Sequence, residues 1–274
     1  MIDERVQAEL RAKFNPDGSD LRKAQLRMLT LLRFLDKICK EYNLEYWLDS
    51  GTLLGAARHG GFIPWDDDID VCMMKKDAEH LKNIMGDKIW QEHIVLQTHE
   101  TDPNYFHPSW ITLRDIKSEY ITDNYYHNII KYKGLQIDIF IIEENIPANL
   151  LKLSSKLFNF MVIAPLMGRH RLTCLRPIVP INYSILNRFV FPILKKIHKK
   201  SDTVSSGLGA DFLKIQKKDD IFPLRKIFIE GYEFSCPSNY DAYLTQLYKK
   251  YGSWTTIPSL NKIRTHGVKF RFLE

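Results

Sequence analysis

At 274 residues, with 45% hydrophobic and 12% aromatic content, the chain has ample material for a globular core and can form one large domain or two small ones. No apolar run approaches the length of a membrane span, and the charged start "MIDERVQAEL" lacks the basic-then-apolar layout of a secretory leader; the expectation is a cytoplasmic protein. The formal net charge of +6 is local in origin: residues 145 to 201 hold ten Lys or Arg and no Asp or Glu. That distribution argues against a uniformly basic nucleic-acid binder and points to a patch for phosphate-bearing partners or an anionic surface.

In chain order, Leu21, Met28, Leu31, Leu32, Leu35 and Ile38 recur near helical spacing, predicting a long amphipathic helix over 21–41. "LEYWL" (44–48) reads as a short strand, "GTLLGAARHG" as a helical turn closed by Gly60 and Gly61, and "IDVCMM" (69–74) as a strand followed by the helix "KKDAEHLKNIM". Further strands are expected near 94–99, 118–122 and 135–142. Strands and helices mixed in this order suggest an α+β fold, a mixed sheet with helices against it. Residues 150–200 read as basic amphipathic helices interrupted by Pro165, Pro177, Pro180 and Pro192, an insertion before the C-terminal part. "FPLRKIFIEGYEFSCP" reads as a hairpin, and "SNYDAYLTQLYKKYG" as a helix capped near Ser238 or Asn239 and stopped at Gly252. Cys39, Cys72, Cys174 and Cys236 are too scattered for a disulfide framework or a structural zinc site and are expected to be buried free thiols.

The chemistry concentrates in "LDSGTLLGAARHGGFIPWDDDIDVCM" (48–73). In a strand, i and i+2 share a face, so Asp68 and Asp70 present two carboxylates side by side while Ile69 and Val71 face the core. Asp66 and Asp67, ahead of the strand, fit an Asx-type turn or supporting positions better. Asp138, isolated within "QIDIF", needs a partner if buried. Should the two strands be neighbours, Asp68, Asp70 and Asp138 form one carboxylate cluster suited to Mg²⁺ or Mn²⁺. The bland alternative is a solvated acidic turn and a core acid satisfied by backbone N–H groups. Ser50, Gly51 and Thr52 stand at a strand-to-helix junction that favours a phosphate. No Lys-Ser/Thr pair follows the glycines, so this is not a P-loop.

Taken together, Gly51 to Ala56, Arg58 and Gly61 to Asp70 resemble the LicD family hallmark, and "TLRDIKSEYI" with Arg114, "LQIDIFII" with Asp138, "IFPLRKIFIEG", "NYDAYLTQLYKKYG" and "IRTHG" resemble successive family blocks. The resemblance implies a single nucleotidyltransferase fold over 1–274, related to DNA polymerase β, with the basic helical insertion at about 148–202. It implies metal-dependent transfer of phosphocholine from CDP-choline to a hydroxyl of a cell-surface glycan (lipopolysaccharide, teichoic acid or capsule precursor), releasing CMP. Glycerol or ribitol phosphate from its CDP donor is the alternative, as is a nucleotidyltransferase that leaves the nucleotide on its product. The zinc-binding insertion of related fukutin-type enzymes is not supported by the cysteine spacing.

On that reading Asp68 and Asp70 hold the metal, and Asp138 completes the site and orients or deprotonates the acceptor hydroxyl. Ser50, Gly51 and Thr52 cradle phosphate, and Arg58 and Arg114 neutralise its charge, the alternative for each arginine being a surface side chain with no role. Arg264 and His266 resemble a terminal family motif without an assignable role. Trp65 is expected to wedge the acidic turn. Candidate aromatic faces for a quaternary ammonium are Trp47, Trp65, Trp110, Tyr105, Phe106, Tyr120, Tyr125 and Tyr126, equally the usual filling of a core. The basic segment suits peripheral contact with the anionic inner face of a membrane, where a lipid-linked acceptor would be presented, or a subdomain that spends its charges on the donor's diphosphate.

Overall fold

The computed structural model describes residues 2–167, 172–196, 202–210, 212–258, 263 and 269–273. Helix α1 spans Glu4–Phe14 and α2 Asp20–Glu41. The Ser19 hydroxyl caps α2 by accepting from the Arg22 N–H, and Met28, Leu31, Leu32, Leu35 and Ile38 are buried, as their spacing predicts.

Six strands lie before the basic segment: β1 (Tyr46–Leu48), β2 (Asp70–Met74), β3 (Ile94–Gln97), β4 (Trp110–Asp115), β5 (Ser118–Ile121) and β6 (Gln136–Glu144). Helix α3 (Ser50–His59) joins β1 to β2, and α4 (Lys75–Met85) follows β2. The central sheet runs β1-β2-β6-β4-β3, and β7 (Thr203–Ser206) pairs with β6 and with β8 (Ile215–Lys217). Only β2 and β6 are parallel; the other described pairings of this sheet are antiparallel. The fold is therefore α+β, a mixed sheet flanked by helices. The core lies between this sheet and α2, α3 and α4, and is closed by the C-terminal helix through Tyr243 and Leu244.

Two differences from the sequence expectation have local causes. Strand β4 was not foreseen because its central position carries Thr112, Arg114 and Asp115, all buried, where a central strand normally reads as apolar. Strand β5 forms where expected but leaves the main sheet to pair with β11 (Lys269–Phe272). The expected hairpin is present as β9 (Arg225–Ile229) and β10 (Tyr232–Cys236), turned by Glu230 and Gly231, both at positive φ. Glu230 accepts from both terminal nitrogens of Arg22, at 3.1 and 2.7 Å, and from the Phe62 N–H at 3.2 Å, tying the hairpin turn to α2 and to the glycine-rich loop. The last long helix, Tyr240–Tyr248, is capped by Asn239.

Residues 148–195 are helical on both sides of the undescribed 168–171. Ala148–Phe158 continues through a π-helical turn, Asn159–Ile163, into Ala164–Leu166. After a 3-10 turn at Thr173–Ile178, Val179–Ile185 continues through a second π-helical turn, Leu186–Val190, into Phe191–Lys195. These helices bury a second core, in which Leu151, Phe158, Tyr183 and Leu186 meet Tyr105 and Phe106 from a loop of the sheet and Tyr126 from the short helix Tyr125–Ile129. Lys195 donates to Glu143 at 2.7 Å, fastening the segment to β6. All four cysteines are free; Cys39, Cys72 and Cys236 are buried as expected, whereas Cys174 is exposed. Among the described residues no helix is long and apolar enough to cross a membrane.

Candidate active site

The parallel register places Asp70 opposite Asp138. Their apolar neighbours Ile69, Val71, Ile137 and Ile139 are buried in the main core, so the strand alternation turns both acids to the other face. The Asp138 N–H donates to the Ile69 carbonyl at 2.9 Å, and the Asp70 N–H to Thr52 Oγ1 at 2.8 Å. One carboxylate oxygen from each of Asp66, Asp67 and Asp68 falls within 4.8 Å of the others. Asp70 is held well above the usual carboxylate range by burial and by repulsion from Asp68, Asp138 and Asp66, with a Ser50 hydrogen bond acting in the opposite direction. Asp66 is likewise raised, by burial and then by Asp68 and Asp67, with Arg58 opposing. The sequence left Asp66 in a turn. The structure makes it a full member of the acid cluster.

Asp138 is clamped from two sides. Thr112, its register partner on β4, donates to Oδ1 at 2.9 Å, and Gln136 donates to Oδ2 at 2.9 Å. Because the single Thr112 hydroxyl proton is committed to Asp138, the Tyr105 phenol 2.5 Å away must donate to Thr112, completing a Tyr105–Thr112–Asp138 relay. Arg114, two residues along β4, is fully buried; it donates to Gln97 Oε1 at 2.8 Å and to the Gly134 carbonyl at 2.9 Å. In this position it braces the sheet behind Asp138. Arg58, also buried, donates to His59 and to the Trp254 and Thr256 carbonyls, and its opposite charge acts on Asp66.

The start of α3 is occupied in a way the sequence did not reveal. A Cβ on Gly51 would lie 2.5 Å from Asp66 Oδ2, so only glycine lets this carboxylate approach the first turn, where free N–H groups and the helix dipole favour a negative charge. Ser50 takes a left-handed φ of 46° and donates to Asp49 Oδ2 at 3.0 Å. Asp49 is completely buried, accepts from the Tyr243 hydroxyl at 2.7 Å and forms an ion pair with Lys214. Burial lowers the Lys214 ammonium to about 7. Neither residue was singled out from the sequence. The available signal for Asp49 was an acid wedged between the buried "YWL" strand and the glycine-rich turn.

A cavity of about 590 Å³ opens beside the site, with Ser50, Phe140, Lys152, Phe212, Lys214 and Tyr248 in its wall. Tyr248 feels the charges of Asp66, Asp70 and Asp68, so cavity and carboxylates are adjacent. Of the aromatic candidates, Trp47, Tyr105, Phe106 and Tyr126 are buried filling, and Trp110 stacks on His107 at 3.7 Å. Tyr120 instead supports the acids through a hydrogen bond with Asp67, and Tyr125 lies under the Arg176 guanidinium. Trp65 packs edge-on against Phe14 and His59 beside the acidic turn, as a wedge would. Arg264 and His266 lie outside the described residues.

Residues 43–146 match the family model described as LicD/FKTN/FKRP, nucleotidyltransferase domain. The chain is 41% identical over 80 residues to the lipopolysaccharide cholinephosphotransferase LicD of Haemophilus influenzae, a stretch that is 29% of this chain and 30% of that protein. It is 43% identical over 63 residues to an uncharacterised protein of Rickettsia prowazekii, 23% of this chain and 24% of the other. It is 39% identical over 54 residues to human ribitol 5-phosphate transferase FKRP, 20% of this chain and 11% of that protein. The matched stretches thus span less than a third of each of these relatives.

Proposed function

We propose that this chain, whose residues 43–146 match the LicD/FKTN/FKRP family model, is a phosphotransferase of nucleotidyltransferase fold, related to DNA polymerase β. It moves a phospho-alcohol from a CDP-alcohol to a hydroxyl of a cell-surface glycan and releases CMP. Phosphocholine from CDP-choline is the preferred version. The observation that carries the reading is the register of Asp70 with Asp138, next to Asp66, Asp67 and Asp68 and beside a basic, aromatic cavity.

The residues suit a hard divalent cation such as Mg²⁺ or Mn²⁺: the donor set is all carboxylate oxygen, and Asp66 and Asp70 are raised first by burial and then by the neighbouring carboxylates, both of which a bound cation would offset. Asp68, Asp70 and Asp138 would hold the ion, with Asp66 alongside. Held there, such an ion would neutralise the donor's diphosphate and lower the pKa of the acceptor hydroxyl. For the chain itself, Lys152 and Lys214 line the cavity where an anionic diphosphate would lie, while Phe140, Phe212 and Tyr248 offer the aromatic faces that suit a quaternary ammonium or a nucleobase. The acceptor oxygen attacks the phosphorus bearing the alcohol, its proton passes to Asp138, and the bond from that phosphorus to the CMP oxygen breaks. Thr112 and Gln136 hold Asp138 in place for this.

The deciding experiment incubates the protein with Mg²⁺, a sugar acceptor and each CDP-alcohol separately, following CMP release and product mass. CMP release with choline phosphate on the product is the expected result. Turnover of CDP-glycerol or CDP-ribitol alone would correct the donor, and nucleotide on the product would overturn the phosphotransferase reading.

A further inference from the structure

The basic helical segment hides one apolar face and exposes another. Val179, Tyr183, Leu186 and Phe191 turn into the second core. On the opposite side Ile178, Ile181, Ile185, Phe189 and Ile193 form a row that is 42% to 63% exposed. In a uniform α-helix of 3.6 residues per turn, a four-residue spacing drifts steadily around the axis. The π-helical turn at Leu186–Val190 accommodates more residues per turn and counters that drift, keeping the row on one side. Phe160, at 59%, and Leu153, at 45%, add to the exposed apolar surface of the same segment. A helix apolar on two faces is stable only if both are covered.

The charges identify the cover. Ten Lys or Arg and no acid occupy 145–201, and Lys152, Lys156, Arg188 and Lys196 are exposed among the apolar side chains. A second copy of the chain would bring two such positive faces together and be repelled. We propose that this segment seats on an anionic lipid bilayer, the Ile178, Ile181, Ile185, Phe189 and Ile193 row entering the headgroup and acyl boundary while the lysines and arginines engage lipid phosphates. Lys152 also lines the cavity beside Ser50, so the membrane-seated segment borders the proposed donor site. The surface is argued independently of the reaction, and its test needs no turnover.

The test is flotation of the 274-residue chain with vesicles of phosphatidylcholine alone or mixed with phosphatidylglycerol, at low and high salt. The expected result is binding to the anionic vesicles only, weakened by salt. An Ile185→Ser/Phe189→Ser variant should lose at least tenfold in binding, and Arg188→Gln about fivefold, the worth of one surface charge. Circular dichroism and melting temperature verify that each variant is folded; if the serine pair unfolds the protein, Ile181→Ser/Ile193→Ser replaces it. Equal binding to neutral and anionic vesicles, or none to either, overturns the proposal. So does self-association in sedimentation velocity that disappears in the serine variant, which would assign the face to a second copy.

Discussion

Asp70 and Asp138 stand opposite one another on adjacent parallel strands, and their like charges act on each other across that pair. Without a cation the folded protein carries the cost of this repulsion. Metal binding should therefore stabilise it, and replacing either acid should abolish catalysis without unfolding it. Asp68→Asn, Asp70→Asn and Asp138→Asn are each expected to lower transferase kcat by about 10³-fold, the equivalent of several kcal/mol of lost metal-centred charge stabilisation. Their melting temperatures in EDTA should equal or exceed that of the parent. Near-parental activity in any one of them removes that residue from the mechanism.

The raised carboxylates give stability a direction in pH. Asp66 and Asp70 have folded values above the unfolded carboxylate value, so between the two the folded state binds more protons. Their contribution is then largest at acid pH and is lost as pH rises through the folded values. In EDTA, thermal unfolding from pH 5 to pH 8 should show the parent losing stability relative to Asp70→Asn as pH increases, and Mg²⁺ should restore more at pH 8 than at pH 5. Parallel profiles for parent and variant would contradict the repulsion argument.

Gly51→Ala separates the helix from the site. The new methyl gains about 1 kcal/mol of helix propensity but lands on Asp66 Oδ2, which must move. The expected outcome is a melting temperature close to the parent's with activity reduced about 100-fold, the scale of a misplacement of about 1 Å in a reacting site. Intact activity would mean that the position of Asp66 does not matter to catalysis.

Thr112→Val tests the clamp on Asp138. It removes the donor to Oδ1 and leaves the Tyr105 phenol without its acceptor, so kcat should fall about 10- to 100-fold, as for other groups that orient a metal-binding side chain. Thr112→Ser, which keeps the hydroxyl, should restore most of the loss. Equal defects in both variants would point to packing of the methyl group instead.

The Asp49–Lys214 pair makes a stability prediction of its own. Lys214→Met leaves Asp49 charged and buried, at a cost of about 3–5 kcal/mol in urea unfolding. Removing both charges in Asp49→Asn/Lys214→Met should recover a substantial part of that loss. Strict additivity of the two single changes would show that the pair is not coupled.

How much of this was legible depended on where the information lay. The period-2 and period-3.6 patterns around residues 21–41, 69–85 and 135–142 state their element type directly, and the structure follows them. The opposition of Asp70 and Asp138 was readable as a condition, because both lie in strands, but the pairing itself is a long-range fact. Lys214 was hidden for the same reason: a single lysine in "DFLKIQ" acquires meaning only when folding sets it against Asp49, far away in sequence. Arg114 was open to misreading because a buried arginine satisfied by Gln97 and Gly134 cannot be told from a phosphate ligand by spacing alone. Gly51 was read as room for a phosphate. Its missing Cβ makes room for Asp66.

The unequal burial of the four cysteines makes the protein selectively addressable. Cys39, Cys72 and Cys236 are enclosed, and burial raises their thiols, that of Cys236 to about 11 and the other two further, so few thiolates form there at neutral pH. Cys174 is exposed and lies in the basic helical segment. A maleimide dye should attach at that one position in the unaltered sequence, giving an optical reporter that moves with the segment without any engineered residue.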